Sequence, residues 1–297
     1  MNDWSWQPPP ELGARVRFER ANGIDFELVE AGVGDRLALC LHGFPELNLS
    51  WRHQIPLLAE RGWRVWAPNL RGYGATSRPV GIAAYDIDRL VEDVAALIDV
   101  AGAREVMLVA HDWGAIVAWV FAARRVRPLD RLVVMNVPHP QCLRRELRHW
   151  HQLKKSWYAF FFQIPWLPEW ALARGGGEPV RRAFLASAAN KDRFPPDLLD
   201  LYARAAMRPG ALTAMLNYYR AAFRAGDRIV PTAMIETPTL MIWGDADIAL
   251  DWRTTVGTDA YVRDLKLHRL SGISHWVQQD APEAVNAILA DWLAVPK

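Results

Sequence analysis

The chain has 297 residues, with 35 Lys and Arg against 33 Asp and Glu and a formal charge of +2. At this length about three quarters of the unfolded surface can be buried, and 51% hydrophobic with 23% charged residues excludes a disordered chain. The near balance of charge, with Arg scattered along the chain, removes the electrostatic footprint of a nucleic-acid binder. Two cysteines, Cys40 and Cys142, cannot make a disulfide framework, although their number leaves one bridge open. Fifteen tryptophans are the unusual count, and they fit either a large apolar cavity or interface, or a Trp-rich core.

The N-terminal stretch MNDWSWQPPPELG has no basic region followed by an apolar run, so no signal peptide or membrane anchor is expected. No segment approaches about 18 uninterrupted apolar residues, the length needed to span a bilayer. A cytoplasmic protein is expected. Residues 14–30 read as two strands, ARVRFER and IDFELVE, around the turn signal Ala21-Asn22-Gly23. Leu37–Leu41, Trp63–Ala67, Val106–Ala110, Leu132–Met135 and Thr239–Trp243 are short, almost wholly apolar runs. Such runs between helical patterns predict a parallel sheet covered on both faces.

The clearest helix runs from Asp86 to Ala101. Leu90, Val91, Val94, Leu97, Ile98 and Ala101 recur at spacings of three and four, and Gly102 stands where a C-terminal cap belongs. A second helix is predicted to start just after Asp112 and to end before Pro128. Near Pro138 the alternation of strand and helix breaks. From His139 to Pro231 the chain reads as helical and aromatic-rich, and the strand pattern resumes at Thr237. A helical block inserted into an α/β chain predicts a lid over the carboxyl ends of the strands.

One segment carries a chemical signature. Strand EVMLVA runs into His111-Asp112-Trp113-Gly114, an ionisable residue with small Ala110 and Gly114 two positions to either side. A sharp strand–nucleophile–helix turn needs small residues there because the backbones meet closely. The nucleophile would be Asp112, since no G-x-S-x-G occurs; a mere helix cap is the alternative. Upstream, strand LALCL ends in His42-Gly43-Phe44-Pro45-Glu46, where an oxyanion-hole loop belongs. Downstream, strand TPTLMIW runs into Gly244-Asp245-Ala246-Asp247, and a later strand is predicted to end in Ser274-His275-Trp276. The order nucleophile, acid, histidine is that of α/β-hydrolases.

HGFPE, the Ser50–Gln54 stretch SWRHQ, RGYG, HDWG and SHW together resemble the epoxide hydrolase branch of the α/β-hydrolases. The likeness runs from about residue 14 to the C-terminus. Lys155–Glu169 and Ser274–Pro282 are especially similar to animal epoxide hydrolases of the 3- and 4-like group. The resemblance implies an α/β-hydrolase fold, a mostly parallel eight-stranded sheet flanked by helices. It divides the chain into core (1–137), helical cap (138–232) and core (233–297).

The resemblance also assigns roles. Asp112 is the nucleophile, His275 the base and Asp247 its acid partner, with Asp245 left as a turn residue. Tyr158, five residues before the Gln of Phe162-Gln163, and Tyr219, in the motif Asn217-Tyr218-Tyr219-Arg220, are the cap tyrosines that hydrogen-bond the epoxide oxygen. The backbone N–H groups of Phe44 and Trp113 form the oxyanion hole, and His42, Pro45, His111 and Trp276 are expected at the substrate site. An apolar epoxide and water are the implied partners, favoured by Trp150, Trp157, Trp166 and Trp170 in the cap. No metal or organic cofactor is implied, and monomer or homodimer is left open. Two other readings use the same residues: a dehalogenase, because Trp113 matches a halide-binding tryptophan, and a catalytically silent binding protein. Phe44, where dehalogenases typically carry Asn, the tyrosine pair and the intact Asp112–Asp247–His275 set weigh against them.

Overall fold

The computed structural model describes residues 5–295; the first four residues of the N-terminal segment read above for a leader lie outside them. Strands β1 (Ala14–Ala21) and β2 (Ile24–Ala31) form an antiparallel hairpin. Its two connecting residues, Asn22 and Gly23, sit at φ 47° and 72°, the left-handed pair that a two-residue turn requires. Then follow β3 (Arg36–Leu41), β4 (Arg64–Pro68), β5 (Glu105–His111), β6 (Arg131–Met135), β7 (Thr239–Gly244) and β8 (Leu265–Leu270). The eight strands form one sheet in the order β1-β2-β4-β3-β5-β6-β7-β8. Only the β1–β2 and β2–β4 junctions are antiparallel. The expected α/β-hydrolase sheet is therefore present.

Apolar side chains alternate across the sheet. Leu37, Leu39 and Leu41 of β3 join one core, and Ala38 and Cys40 join the other. The first core is closed by α2 (Ile87–Ala101) and α3 (Trp113–Ala123), the second by α1 (Gln54–Glu60) and α11 (Pro282–Ala294). Burying both faces explains why these strands are nearly continuous apolar runs. Each fully buried Leu or Val adds roughly 1.5–3 kcal/mol relative to exposure. In α2 the Asp86 carboxylate caps the Asp88 N–H at 3.1 Å and Gly102 closes the helix at φ 59°, as its pattern predicts. Both cysteines are buried and free.

Between β6 and β7 the chain is helical: α4 (Pro140–Glu146), α5 (Trp150–Leu153), α6 (Trp157–Phe161), α7 (Leu167–Ser187), α8 (Pro196–Ala206) and α9 (Ala211–Ala225). Gly175–Gly177 break α7 with three successive left-handed residues. The short α10 (Val277–Asp280) precedes α11. One local expectation is corrected: β8 stops at Leu270, and His275 lies in the loop beyond it rather than at a strand end. Gly272, at φ 73°, turns the chain away from the sheet.

Candidate active site

Asp112 sits between β5 and α3 with φ 48° and ψ −123°, a strained conformation for a non-glycine residue. It holds the N-cap position of α3, yet its side chain caps no N–H of the helix. Its carboxylate points instead toward the loop after β3, where the Phe44 N–H donates to Oδ1 at 2.6 Å. The close approach demands glycines: a Cβ on Gly43 would collide with the Asp112 carboxylate, and one on Gly114 with the Leu41 carbonyl. Trp113 opens α3, where helical geometry leaves a backbone N–H without an intrahelical acceptor.

Behind Asp112 lies His275. Its Nε2 is 3.6 Å from Asp112 Oδ2, and its Nδ1 is 2.6 Å from Asp247 Oδ2. Asp247 is buried and held from several sides. The N–H groups of Ala249 and Leu250 donate to its Oδ1 at 2.7 and 2.9 Å, and the Asn136 amide donates to Oδ2 at 2.9 Å. Asp245 is elsewhere, accepting from the Gly272 N–H in the turn after β8. Burial drives the Asp112 carboxyl upward, but the adjoining His275 and the Phe44 N–H hold it below the ordinary carboxylate value. Asp247 is likewise lowered against its burial by His275 and Asn136. Burial opposes a charge on His275, yet the two carboxylates push its pKa up to about 10.

Two phenols face this group. Tyr158 on α6 and Tyr219 on α9 have ring centroids 6.0 Å apart and line the same cavity of about 280 Å³ as Asp112 and Trp113. Most of the remaining wall is apolar, including Ile116, Val137, Leu143 and Leu250. Tyr219 packs edge-on against Trp113 and Phe44, with centroids 4.9 and 5.6 Å away. Burial and the charge of Asp112 raise both phenols well above their ordinary value, so both remain donors at neutral pH. Neighbouring Tyr218 turns away and donates to the Arg71 carbonyl at 2.8 Å. Arg220 ties α9 to the chain after α6, donating to the Phe162 carbonyl at 3.0 Å and to Glu169 at 2.7 Å.

Four residues expected at the substrate site are not among those lining the cavity: His42, Pro45, His111 and Trp276. His42 is fully buried, Nδ1 facing the Gly43 carbonyl at 3.0 Å and Nε2 accepting from the Leu70 N–H at 3.0 Å. Burial presses its pKa down to about 4, so it is a neutral brace between two loops. Pro45 is buried in the loop after β3. His111 Nε2 faces the His275 carbonyl at 2.9 Å, and its Nδ1 is 2.7 Å from Glu46. Trp276 clamps the inserted helices to the His275 loop: its indole donates to Ser187 Oγ at 2.7 Å and packs on Phe184 at 4.5 Å. The cap tryptophans Trp150, Trp157, Trp166 and Trp170 are likewise outside the cavity wall and exposed.

Two residues central to this arrangement received no role from the sequence: Glu46, although it closes the HGFPE motif, and Asn136. Glu46, fully buried, accepts from Gln278 and Gln279 at 2.8 and 2.7 Å besides meeting His111, joining the loop after β3 to the loop of His275. Asn136, at φ 45° just after β6, bonds both Asp247 and the Gly244 backbone. An Asn following a buried strand is the only signal, and it is common to ordinary turns.

Comparison with known proteins agrees with this geometry. Residues 39–282 match the family model described as the alpha/beta hydrolase fold. The chain is 36% identical to human epoxide hydrolase 4, over 96% of this chain and 80% of that protein. It is 34% identical to epoxide hydrolase A of Mycobacterium tuberculosis, over 93% and 96%. The structure of a Bacillus megaterium epoxide hydrolase in complex with an inhibitor superposes with a TM-score of 0.86 at 30% identity, covering 94% of this chain and all of that one. The chain belongs to the α/β-hydrolase family and, within it, to the epoxide hydrolases.

Proposed function

We propose that the protein adds water to an apolar epoxide to give a vicinal diol through an ester on Asp112. The observation that carries this reading is one apolar cavity holding a carboxylate and two protonated phenols, with an imidazole 3.6 Å behind the carboxylate. An epoxide oxygen leaves poorly until it is hydrogen-bonded, which Tyr158 and Tyr219 supply as C–O cleavage proceeds. Oδ2 of Asp112 attacks a ring carbon and the opened oxygen takes a phenol proton, giving an alkyl ester. Oδ1, already met by the Phe44 N–H, becomes the ester carbonyl oxygen. His275, oriented by Asp247, then removes a proton from water attacking that carbonyl carbon. The oxyanion that develops on Oδ1 is held by the N–H groups of Phe44 and Trp113. Collapse expels the diol alkoxide, which takes the proton from His275, and leaves Asp112 as the carboxylic acid, whose proton, the second of the attacking water, returns to the phenolate as the diol leaves. Residues 138–232 act as the cap carrying both tyrosines.

The dehalogenase reading is disfavoured by the two protonated phenols that share the cavity with Asp112, donors that a halide leaving group does not need. A panel of epoxides and haloalkanes assayed with the purified protein, reading diol and halide separately, tests the choice. Diol release from epoxides is expected. Halide release without diol formation would overturn the reading.

A further inference from the structure

Four cap tryptophans point into solvent: Trp150 is 74% exposed, Trp157 64%, Trp166 73% and Trp170 56%. A folded protein gains nothing from presenting so much indole surface to water, and large apolar side chains left exposed together in one segment mark an interaction site. The four lie within one 21-residue stretch, between α5 and the first turn of α7. Trp157 and Phe160 share a face of α6 at i, i+3 spacing. Phe160 meets Phe223 of α9 edge-on at 5.4 Å, and both rings are half exposed. Trp166 is also held at φ 54°, a strained position for a bulky residue whose side chain packs in no core.

Charge accompanies the aromatics. From Arg144 to Arg174 there are six Lys and Arg but only two acids, Glu146 and Glu169; Arg144 and Lys155 pair with Asp227 and Asp251 from outside the stretch, which leaves two positive charges in excess. Both acids are already engaged, Glu146 by Arg145 and His151, Glu169 by Arg220. Arg148 and Lys154 are exposed and form no ion pair among the described residues. Arg174 lies over the Trp170 ring at 5.0 Å.

We propose that this face of the cap is a docking surface for an anionic lipid bilayer. Indole rings prefer the headgroup region, where an apolar body and a polar N–H are both accommodated. Lys and Arg beside them are drawn to anionic headgroups. Pairing with a second copy is the weaker match, because a two-fold axis through the patch sets Arg148 and Lys154 near their own copies. Phe160 and Phe223 belong to both the exposed face and the wall of the cavity. Docking therefore sets the cavity mouth against the bilayer, where an apolar epoxide would dissolve. That last consequence rests on the epoxide reading; the docking itself does not.

The test is co-sedimentation with vesicles of phosphatidylcholine alone, or with about three parts in ten phosphatidylserine. The protein should bind the mixed vesicles about ten-fold or more tightly than the neutral ones, and high salt should weaken that binding. Trp166→Ser with Trp170→Ser should lower vesicle binding about ten-fold, and Arg148→Glu with Lys154→Glu should remove the preference for anionic vesicles. Both double variants should hydrolyse a water-soluble epoxide at the unaltered rate, since none of the four residues lines the cavity. Absence of vesicle binding, indifference to phosphatidylserine, or unchanged binding by both variants overturns the proposal. So does sedimentation equilibrium showing a dimer that the tryptophan variant converts to monomer. If the tryptophan variant misfolds, the charge-reversal variant alone decides the matter.

Discussion

His275 and Asp247 are joined Nδ1 to Oδ2 across 2.6 Å, and His275 sits at about 10 while Asp247 is lowered. At neutral pH the free site therefore holds an imidazolium between two carboxylates. In the proposed reaction, ester formation on Asp112 neutralises one of those carboxylates, and the imidazole then gives up its proton more readily. The charge change of the first step thus prepares the base for the second. Ring opening should be level from about pH 6 to about pH 9, because Asp112 stays ionised throughout. Ester hydrolysis should rise with pH through a midpoint below that of the free enzyme, because a base acts when deprotonated. Rapid-quench measurement of each step across pH tests this, and a hydrolysis rate that falls with rising pH would sink the assignment. The linkage to stability follows the same signs. The folded pKa of His275 exceeds its ordinary 6.5, so its contribution is full below that value and lost as pH climbs through about 10. Asp112 and Asp247, both lowered, contribute above 3.8 and lose their share as pH falls through their folded values.

The two phenols should be separable by mutation. Tyr158→Phe and Tyr219→Phe each remove one donor to the leaving oxygen while keeping a ring that fills the same space. Each should slow ring opening, on the order of ten- to a hundred-fold, and the double variant by about 10³ or more. A double variant with full activity on a good epoxide would contradict the leaving-group role.

Asn136 supports the acid rather than the nucleophile. Its amide bonds Asp247 Oδ2 and both backbone groups of Gly244, so removal frees a buried carboxylate to shift. Asn136→Ala should cost about 1–3 kcal/mol of stability and slow ester hydrolysis about ten-fold while sparing ring opening. Asn136→Gly restores the freedom needed at φ 45° but not the amide, and should match the Ala variant in hydrolysis. Normal hydrolysis in the Gly variant would show that only the backbone matters there.

The centre of the sheet was legible because both its faces are buried, which turns β3 to β7 into apolar runs, whereas the edge strands β1 and β8 carry polar, exposed side chains. Asp112 was legible for a similar reason: a tight turn tolerates only Ala110 and Gly114 around it, and packing leaves that mark in the sequence. The histidines were not separable by type. His42 and His111 stand in motifs beside the site, yet backbone groups and the Glu46 carboxylate occupy them, and only geometry reveals that. The cap tryptophans misled in the opposite direction. Short helices such as α5 and α6, four and five residues long, have too few turns for periodicity to say which face is inward. Glu46 and Asn136 act through partners far along the chain, which a local reading does not see.

The two half-reactions give the strongest separation of an Asp112 ester from direct attack by water. On the proposed mechanism, ring opening needs the Asp112 carboxylate and the tyrosines, whereas ester hydrolysis needs His275 and Asp247. His275→Gln should be alkylated once and then stall, accumulating protein whose mass equals enzyme plus intact epoxide. Glutamine cannot serve as the base, and its loss of positive charge leaves Asp112 no less nucleophilic. Asp112→Asn should form no adduct, because a neutral amide attacks poorly. Asp247→Asn should fall between, accumulating ester more slowly than His275→Gln as its imidazole loses its orienting partner. Mass spectrometry of each variant after incubation with substrate reads all three outcomes, and thermal melting verifies that each variant is folded. A folded His275→Gln protein that binds the epoxide and stays unmodified, while wild type turns over the same compound, would exclude the ester and leave His275 activating water directly on the epoxide.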